Sequence, residues 1–158
     1  MADDDALNRE ALLKYVKHNG DLTADGYVAV ALGLAVMQFA CYRRSRFKGW
    51  WDGRGMRNFG EAVALIHSEL SEALEAYREG DDMRSVSFID ENGRHLADGD
   101  ASFMPETAKP VGVASEFADV LIRLFDLCQG FHVPLAEAFL AKHRYNGTRP
   151  HRHGGKRC

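Results

Sequence analysis

Phe59, Val63, Ile66, Leu70, Leu74 and Tyr77 recur at spacings of three or four, and Phe117, Val120, Leu121, Leu124 and Leu127 repeat the pattern later in the chain. Each set is one stripe of an amphipathic helix, and a chain with two such stripes must cover them with other helices. The first helix has a clear start, because Asn58 followed by Glu61 at the third helical position matches a capping box, and Gly80 is its expected stop. The second is expected over about Ala114–Gln129, ended by Gly130.

Further helices are expected around this pair. Residues 6–17 read as a short amphipathic helix ended by the turn His18-Asn19-Gly20. Residues 24–46 are rich in Ala, Leu and Val nearly all round, so this helix is expected inside a bundle or at a subunit interface. Gly33 either weakens it or admits a close neighbour. Pro134 suits the first turn of a last helix reaching about Asn146. Residues 47–57, FKGWWDGRGMR, read as a loop. Residues 81–110 are polar and Asp-rich, and SVSFIDENGRHLA within them offers two short runs around Asn92-Gly93, an exposed hairpin. The expectation is an all-α bundle of about five helices with a small β-hairpin insertion. At 158 residues it forms a single domain, 1–158, with 81–110 inserted and 147–158 a basic tail.

The same two helices carry acids. Glu69 and Glu72 on the first, and Glu116 and Asp119 on the second, have i,i+3 spacing that puts each pair on one helix face. Facing helices would gather four carboxylates, and hard oxygen ligands of this kind suit Mg²⁺ or Mn²⁺. Spacing alone also fits a solvated acidic face, to which Glu75, Glu79 and Asp126 are assigned. A di-iron bundle requires Glu-x-x-His, and no Glu here has His three residues later.

Charge is unevenly placed although the net value is only −3, which argues against a dedicated nucleic-acid binder. Residues 42–57 carry six Lys or Arg against Asp52, and no acid follows Glu137. Positive segments beside a metal cage suit a polyphosphate, while a solvated tail explains the same composition. Trp50 and Trp51 can stack on a nucleobase, a contact contributing roughly 1–3 kcal/mol, or cap the core. His151 and His153 form an HxH tract able to take up stray transition metal. Cys41, Cys128 and Cys158 form no CxxC pair, so neither a disulfide framework nor a zinc knuckle is expected. The acidic start and the interrupted apolar stretch Tyr27–Tyr42 point to no secretory signal and no membrane span, hence a reducing cytoplasm.

The run RNFGEAVALIHSELSEALEAYREG (57–80), followed by SEFADVLIRLFDLCQGFHVPLAEAFLAKHRYNGTRPHRHGGKRC (115–158), resembles the MazG-like all-α nucleotide pyrophosphohydrolases. It is most similar to the phage-type branch that ends in YN-x-x-RP-x-x-HGGK. The resemblance covers about residues 48–80 and 111–158, and would place the protein in a host cytoplasm. It implies hydrolysis of a nucleoside triphosphate to monophosphate and pyrophosphate with two or more Mg²⁺ or Mn²⁺ ions per site. Glu69, Glu72, Glu116 and Asp119 match the metal ligands, and Lys142 and Asn146 match substrate-contacting positions. Arg149 and Lys156 are added as phosphate contacts on charge and position, and a stacking aromatic in relatives favours Trp50 and Trp51 for the base. Assembly as a homodimer or homotetramer is implied, with no stable nucleic-acid complex. The expected reaction is in-line attack of water on the α-phosphorus, the ions lowering the water's pKa, with Glu69 or Glu72 accepting the proton.

Two departures stand out. Ser68 precedes Glu69 where many members carry a further acid, so that acid cannot serve as general base. The gap between Glu72 and Glu116 is longer than usual in the family. Paired tryptophans lean the substrate toward dGTP or GTP. A housecleaning or pyrimidine-specific pyrophosphatase of the same family, a non-catalytic nucleic-acid accessory protein and a purely structural bundle are the competing readings.

Overall fold

The computed structural model describes residues 10–53 and 57–155. Helices dominate: α1 (Ala24–Phe47), α2 (Phe59–Glu79), α3 (Val113–Gly130), α4 (Leu135–Gly147) and the short α5 (Arg152–Gly155). Strands β1 (Ser87–Ile89), β2 (His95–Asp98) and β3 (Lys109–Val111) lie between α2 and α3 and form an antiparallel sheet in the order β2-β1-β3. The chain is thus mostly helical with a small three-stranded sheet, as the expected helical bundle with a β insertion requires. The hairpin forms around Asn92-Gly93 as the sequence suggested, with Ser87 opposite Asp98. A third strand was not expected: β3 pairs its Pro110 with Phe88, at a sheet edge where the missing N–H costs no ladder bond. Phe88 is buried, so this excursion joins the core instead of standing wholly in solvent.

Local chemistry accounts for the helix ends. Thr23 caps α1 by accepting the Gly26 N–H, and Asn58 caps α2 by accepting the Glu61 N–H at 3.1 Å. Gly80 ends α2 in the left-handed region at φ 101°, where a side chain would be strained. The helix expected over 6–17 is not continuous: residues 10–12 are helical, and a turn follows at 13–15. Val16 then pairs with Leu22 across the His18-Asn19-Gly20 reversal. The reason is competition for backbone groups, since Lys17 N–H donates to Asp21 and Thr23 N–H to the Tyr15 carbonyl. Residues 6–9 lie outside the described segment.

α3 is the central helix, packing against both α2 and α1, while α1 also meets α4. The seam between α2 and α3 uses small residues: Ala62 and Ala73 are buried together with Glu69. These allow close approach of α3, whose Phe125, Leu127 and Cys128 are buried. Much of the apolar stripe read from the sequence lies elsewhere. Phe59, Leu70, Leu74 and Tyr77, with Phe117 and Leu121 of α3, are all exposed in the single chain. The long helix α1 is likewise uncovered in the single chain, so of its two expected placements the bundle interior is not the one seen. Only Gly26 and Gln38 are buried on it, whereas Val28 is 67% and Leu32 63% exposed. Its 24 residues, matching the expected helix over 24–46, are also long and apolar enough, by length and composition alone, to cross a membrane, although the apolar stretch Tyr27–Tyr42 was read as too short for a span. Close backbone approach occurs at Gly26, against the Tyr15 carbonyl, and not at Gly33, which has open space around it.

Candidate functional site

The i,i+3 acids meet where α2 crosses α3. Glu69, Glu116 and Asp119 each offer a carboxylate oxygen, and these oxygens all lie within 4.8 Å of one another. Glu69 is buried in the helix seam, only 5% exposed, while Glu116 is partly exposed. Glu72 stands outside this triad on an exposed turn of α2, yet its charge reaches Glu116. The Glu116 carboxyl is pushed above its ordinary value, first by burial and then by the charges of Glu72, Asp119 and Glu69, with a hydrogen bond shared with Glu69 adding to the shift. A cluster that resists full ionisation is relieved by a cation. The donor set fits a hard one: it is all carboxylate oxygen, with no imidazole or thiolate, which suits Mg²⁺ or Mn²⁺ over softer metals.

Arg123, one helical turn beyond Asp119, partly neutralises the cluster by donating from Nη2 to Glu69 Oε1 at 2.7 Å. Ser68 donates its hydroxyl to the Leu65 carbonyl of its own helix at 2.8 Å, so this position supplies no acid–base group.

Beside the triad opens a cavity of about 510 Å³, bounded by α1, the segment after it, α2 and α3. Asp119 belongs to its wall, together with Arg44, Lys48, Arg57, Arg123 and Trp50. Met37, Leu65 and Ile122 supply apolar surface. Four cations, an aromatic face and one acid of the triad therefore share one enclosure.

The cavity wall is held by Asp126, which is 6% exposed. Its Oδ1 accepts the Trp51 indole N–H at 2.8 Å, and its Oδ2 accepts the Ser45 hydroxyl at 3.0 Å and the Arg57 guanidinium at 2.9 Å. Asp126 is therefore not part of the solvated face to which its sequence context assigned it. Three donors, one of them a guanidinium, make burial of the charge tolerable. The same carboxylate, with burial as the larger cause, raises the Cys41 thiol above its usual value.

The two tryptophans divide their roles. Trp51 fills the gap over Gly130, makes edge contacts with Tyr42 and Phe131, and lies under the Arg57 guanidinium. It caps the core and its faces are taken. Trp50, 69% exposed, lines the cavity and keeps a free face. Lys142 and Asn146 stand one turn apart on α4, both exposed, and neither belongs to the cavity wall. Arg149, partly buried, follows α4 and is likewise absent from that wall. Lys156 lies outside the described residues, and the side chain of His153 is not described.

Sequence reasoning missed Arg123, Asp126 and Ser45 as parts of this site, and it read Arg57 only as one of the basic residues of 42–57. One signal was available. Glu116, Asp119, Arg123 and Asp126 are spaced three, four and three apart, which continues a single face of α3 into the cavity. No family model, curated protein or solved structure matches the chain.

Proposed function

We propose that the protein is a divalent-metal-dependent hydrolase of nucleoside triphosphates, releasing monophosphate and pyrophosphate, in the manner of the MazG-like enzymes its motifs resemble. The observation that carries this reading is the junction of an all-carboxylate triad with a cavity lined by four cations and a tryptophan. A negative cage beside positive walls is complementary to a triphosphate whose oxygens are shared between cations and guanidinium groups.

Glu69, Glu116 and Asp119 would hold the ions, with Glu72 joining them from the adjacent turn. A divalent ion bound there supplies charge neutralisation and Lewis acidity at the phosphoryl group. The chain's own groups do the rest. Arg44 and Lys48 offer charge to the phosphates, and Trp50 offers a stacking face to the base. Asp126 fixes the wall that carries them. Ser68 is committed to the helix backbone, so the proton of the attacking water passes to a carboxylate of the cluster. Lys142, Asn146 and Arg149 stay in this reading as substrate contacts carried by α4 and its extension.

The paired tryptophans of the sequence lean the reading to dGTP or GTP, with Trp50 left to supply the stacking face. The uncovered apolar residues of α1, Val28, Leu32, Val36 and Phe39, support self-association as a homodimer or homotetramer. Incubation with each dNTP and NTP plus Mg²⁺ or Mn²⁺, resolving mono- from diphosphate product, tests the activity, the bond and the base together. Monophosphate with pyrophosphate supports it. Diphosphate with orthophosphate, or no turnover of any nucleotide, refutes it.

A further inference from the structure

Arg123 belongs to both halves of the site. Its guanidinium pairs with Glu69, whose side chain is 7% exposed, while its own side chain is 40% exposed and forms part of the cavity wall. The buried end of this pair is fixed in a helix seam, and the other end is a long, partly solvated stem. A buried carboxylate needs a compensating charge, and Arg123 provides it.

Glu69 is also one of the three acids placed to hold a divalent ion. An ion on that carboxylate supplies the compensation itself and repels a guanidinium at hydrogen-bond distance. The other acids on the Arg123 face of α3 are Glu116 and Asp119, which belong to the same triad, and Asp126, whose oxygens are taken by Ser45, Trp51 and Arg57. The open side is the cavity. A planar guanidinium there matches phosphate oxygens in bidentate geometry.

We infer that Arg123 is an exchangeable counter-cation: it neutralises Glu69 until a divalent ion takes that carboxylate, then turns into the adjoining cavity to bind a phosphate group of the ligand. The inference rests on the metal-centre reading above. It couples the two binding events, so that metal favours the anion and the anion favours metal by the same factor. A guanidinium that merely supported Glu69 as a ligand would have the opposite sign, because its loss would weaken metal binding.

Titration of the full chain with Mn²⁺ alone, followed by the electron paramagnetic resonance of free Mn²⁺, reads the first half without turnover. Binding of inorganic pyrophosphate at saturating Mn²⁺, followed by calorimetry, reads the second. Arg123→Gln is expected to bind Mn²⁺ at least about fivefold more tightly than the unaltered chain and to bind pyrophosphate at least about fivefold more weakly. Arg123→Lys keeps the charge and loses the fork; it is expected to hold Mn²⁺ near normal affinity with pyrophosphate weakened, and it carries the test if the Gln variant does not fold. Weaker or unchanged Mn²⁺ binding in Arg123→Gln, or undiminished pyrophosphate binding in either folded variant, overturns the exchange while leaving the metal centre in place. An unaltered chain that binds no Mn²⁺ overturns the metal-centre reading and the exchange together.

Discussion

Replacement of Asp126 by Ala removes the acceptor on which three donors converge. The carboxylate is buried and receives Ser45 from α1 and Trp51 and Arg57 from the segment before α2. Breaking a buried charge pair by deleting one partner costs about 3–5 kcal/mol. Arg57 is 25% exposed and can regain some hydration, which puts the expected loss near the lower end, at about 3 kcal/mol. For a chain of this size each kcal/mol lowers Tm by about 2–4 °C, so a fall of about 6–12 °C is expected. Circular dichroism at 222 nm gives the melt, and tryptophan fluorescence reports the local change: the Trp51 indole loses its acceptor and its emission shifts to longer wavelength. Asp126→Asn keeps an acceptor and should lose less than Asp126→Ala. A double-mutant cycle with Arg57→Ala should return a coupling of about 0.5–3 kcal/mol, because both changes act on one contact. A Tm within 2 °C of the unaltered chain, with unchanged fluorescence, would refute the clamp.

Gly130→Ala places a methyl group inside the Trp51 ring; displacement of that indole should cost about 1–3 kcal/mol in urea unfolding and red-shift the same fluorescence. Glu116→Gln removes a carboxyl whose pKa is raised in the folded chain. Such a group contributes stability below the ordinary carboxylate value and loses it as pH rises through the folded value. Without added divalent ions the Gln variant should therefore melt higher than the unaltered chain at neutral pH, with the difference vanishing below the ordinary carboxylate range; no pH dependence in that difference would contradict the shift. The Cys41 thiol, raised by burial and by Asp126, should be alkylated by iodoacetamide more slowly at neutral pH than a free thiol, and faster in Asp126→Asn, as mass spectrometry of the labelled peptide would show. Leu32→Asp, at an exposed apolar position of α1, should shift the mass measured by light scattering toward a single chain.

The helices were legible because periodicity and caps are local. Asn58, Gly80 and Pro134 each act within a turn of themselves, and the structure places the corresponding helix ends there. Strand β3 was not legible: Lys109–Val111 is three residues with a proline, and only pairing with Ser87–Ile89 makes it a strand. Periodicity also did not say which side of a stripe meets which neighbour. Ala62 and Ala73 occupy the α2–α3 seam because small residues permit close approach, and this leaves Leu70 and Leu74 outside. The acids divide in the same way. Glu69, Glu116 and Asp119 were readable as i,i+3 pairs on two helices. Asp126 was not, since its burial depends on donors 81, 75 and 69 residues away in sequence. The tryptophans followed suit, with only tertiary contacts separating Trp51, fixed over Gly130, from Trp50 on the cavity wall.

The proposed work of the triad of α2 and α3 is hydrolysis of a nucleotide with bound divalent ions. Pyrophosphate release from dGTP in Mg²⁺, compared between the unaltered chain and a folded Glu69→Gln variant, tests it most directly. Steady release by the unaltered chain is expected, with none without Mg²⁺ and a loss of at least about a hundredfold in the variant. Equal release by both chains, or release that does not require a divalent ion, would contradict it.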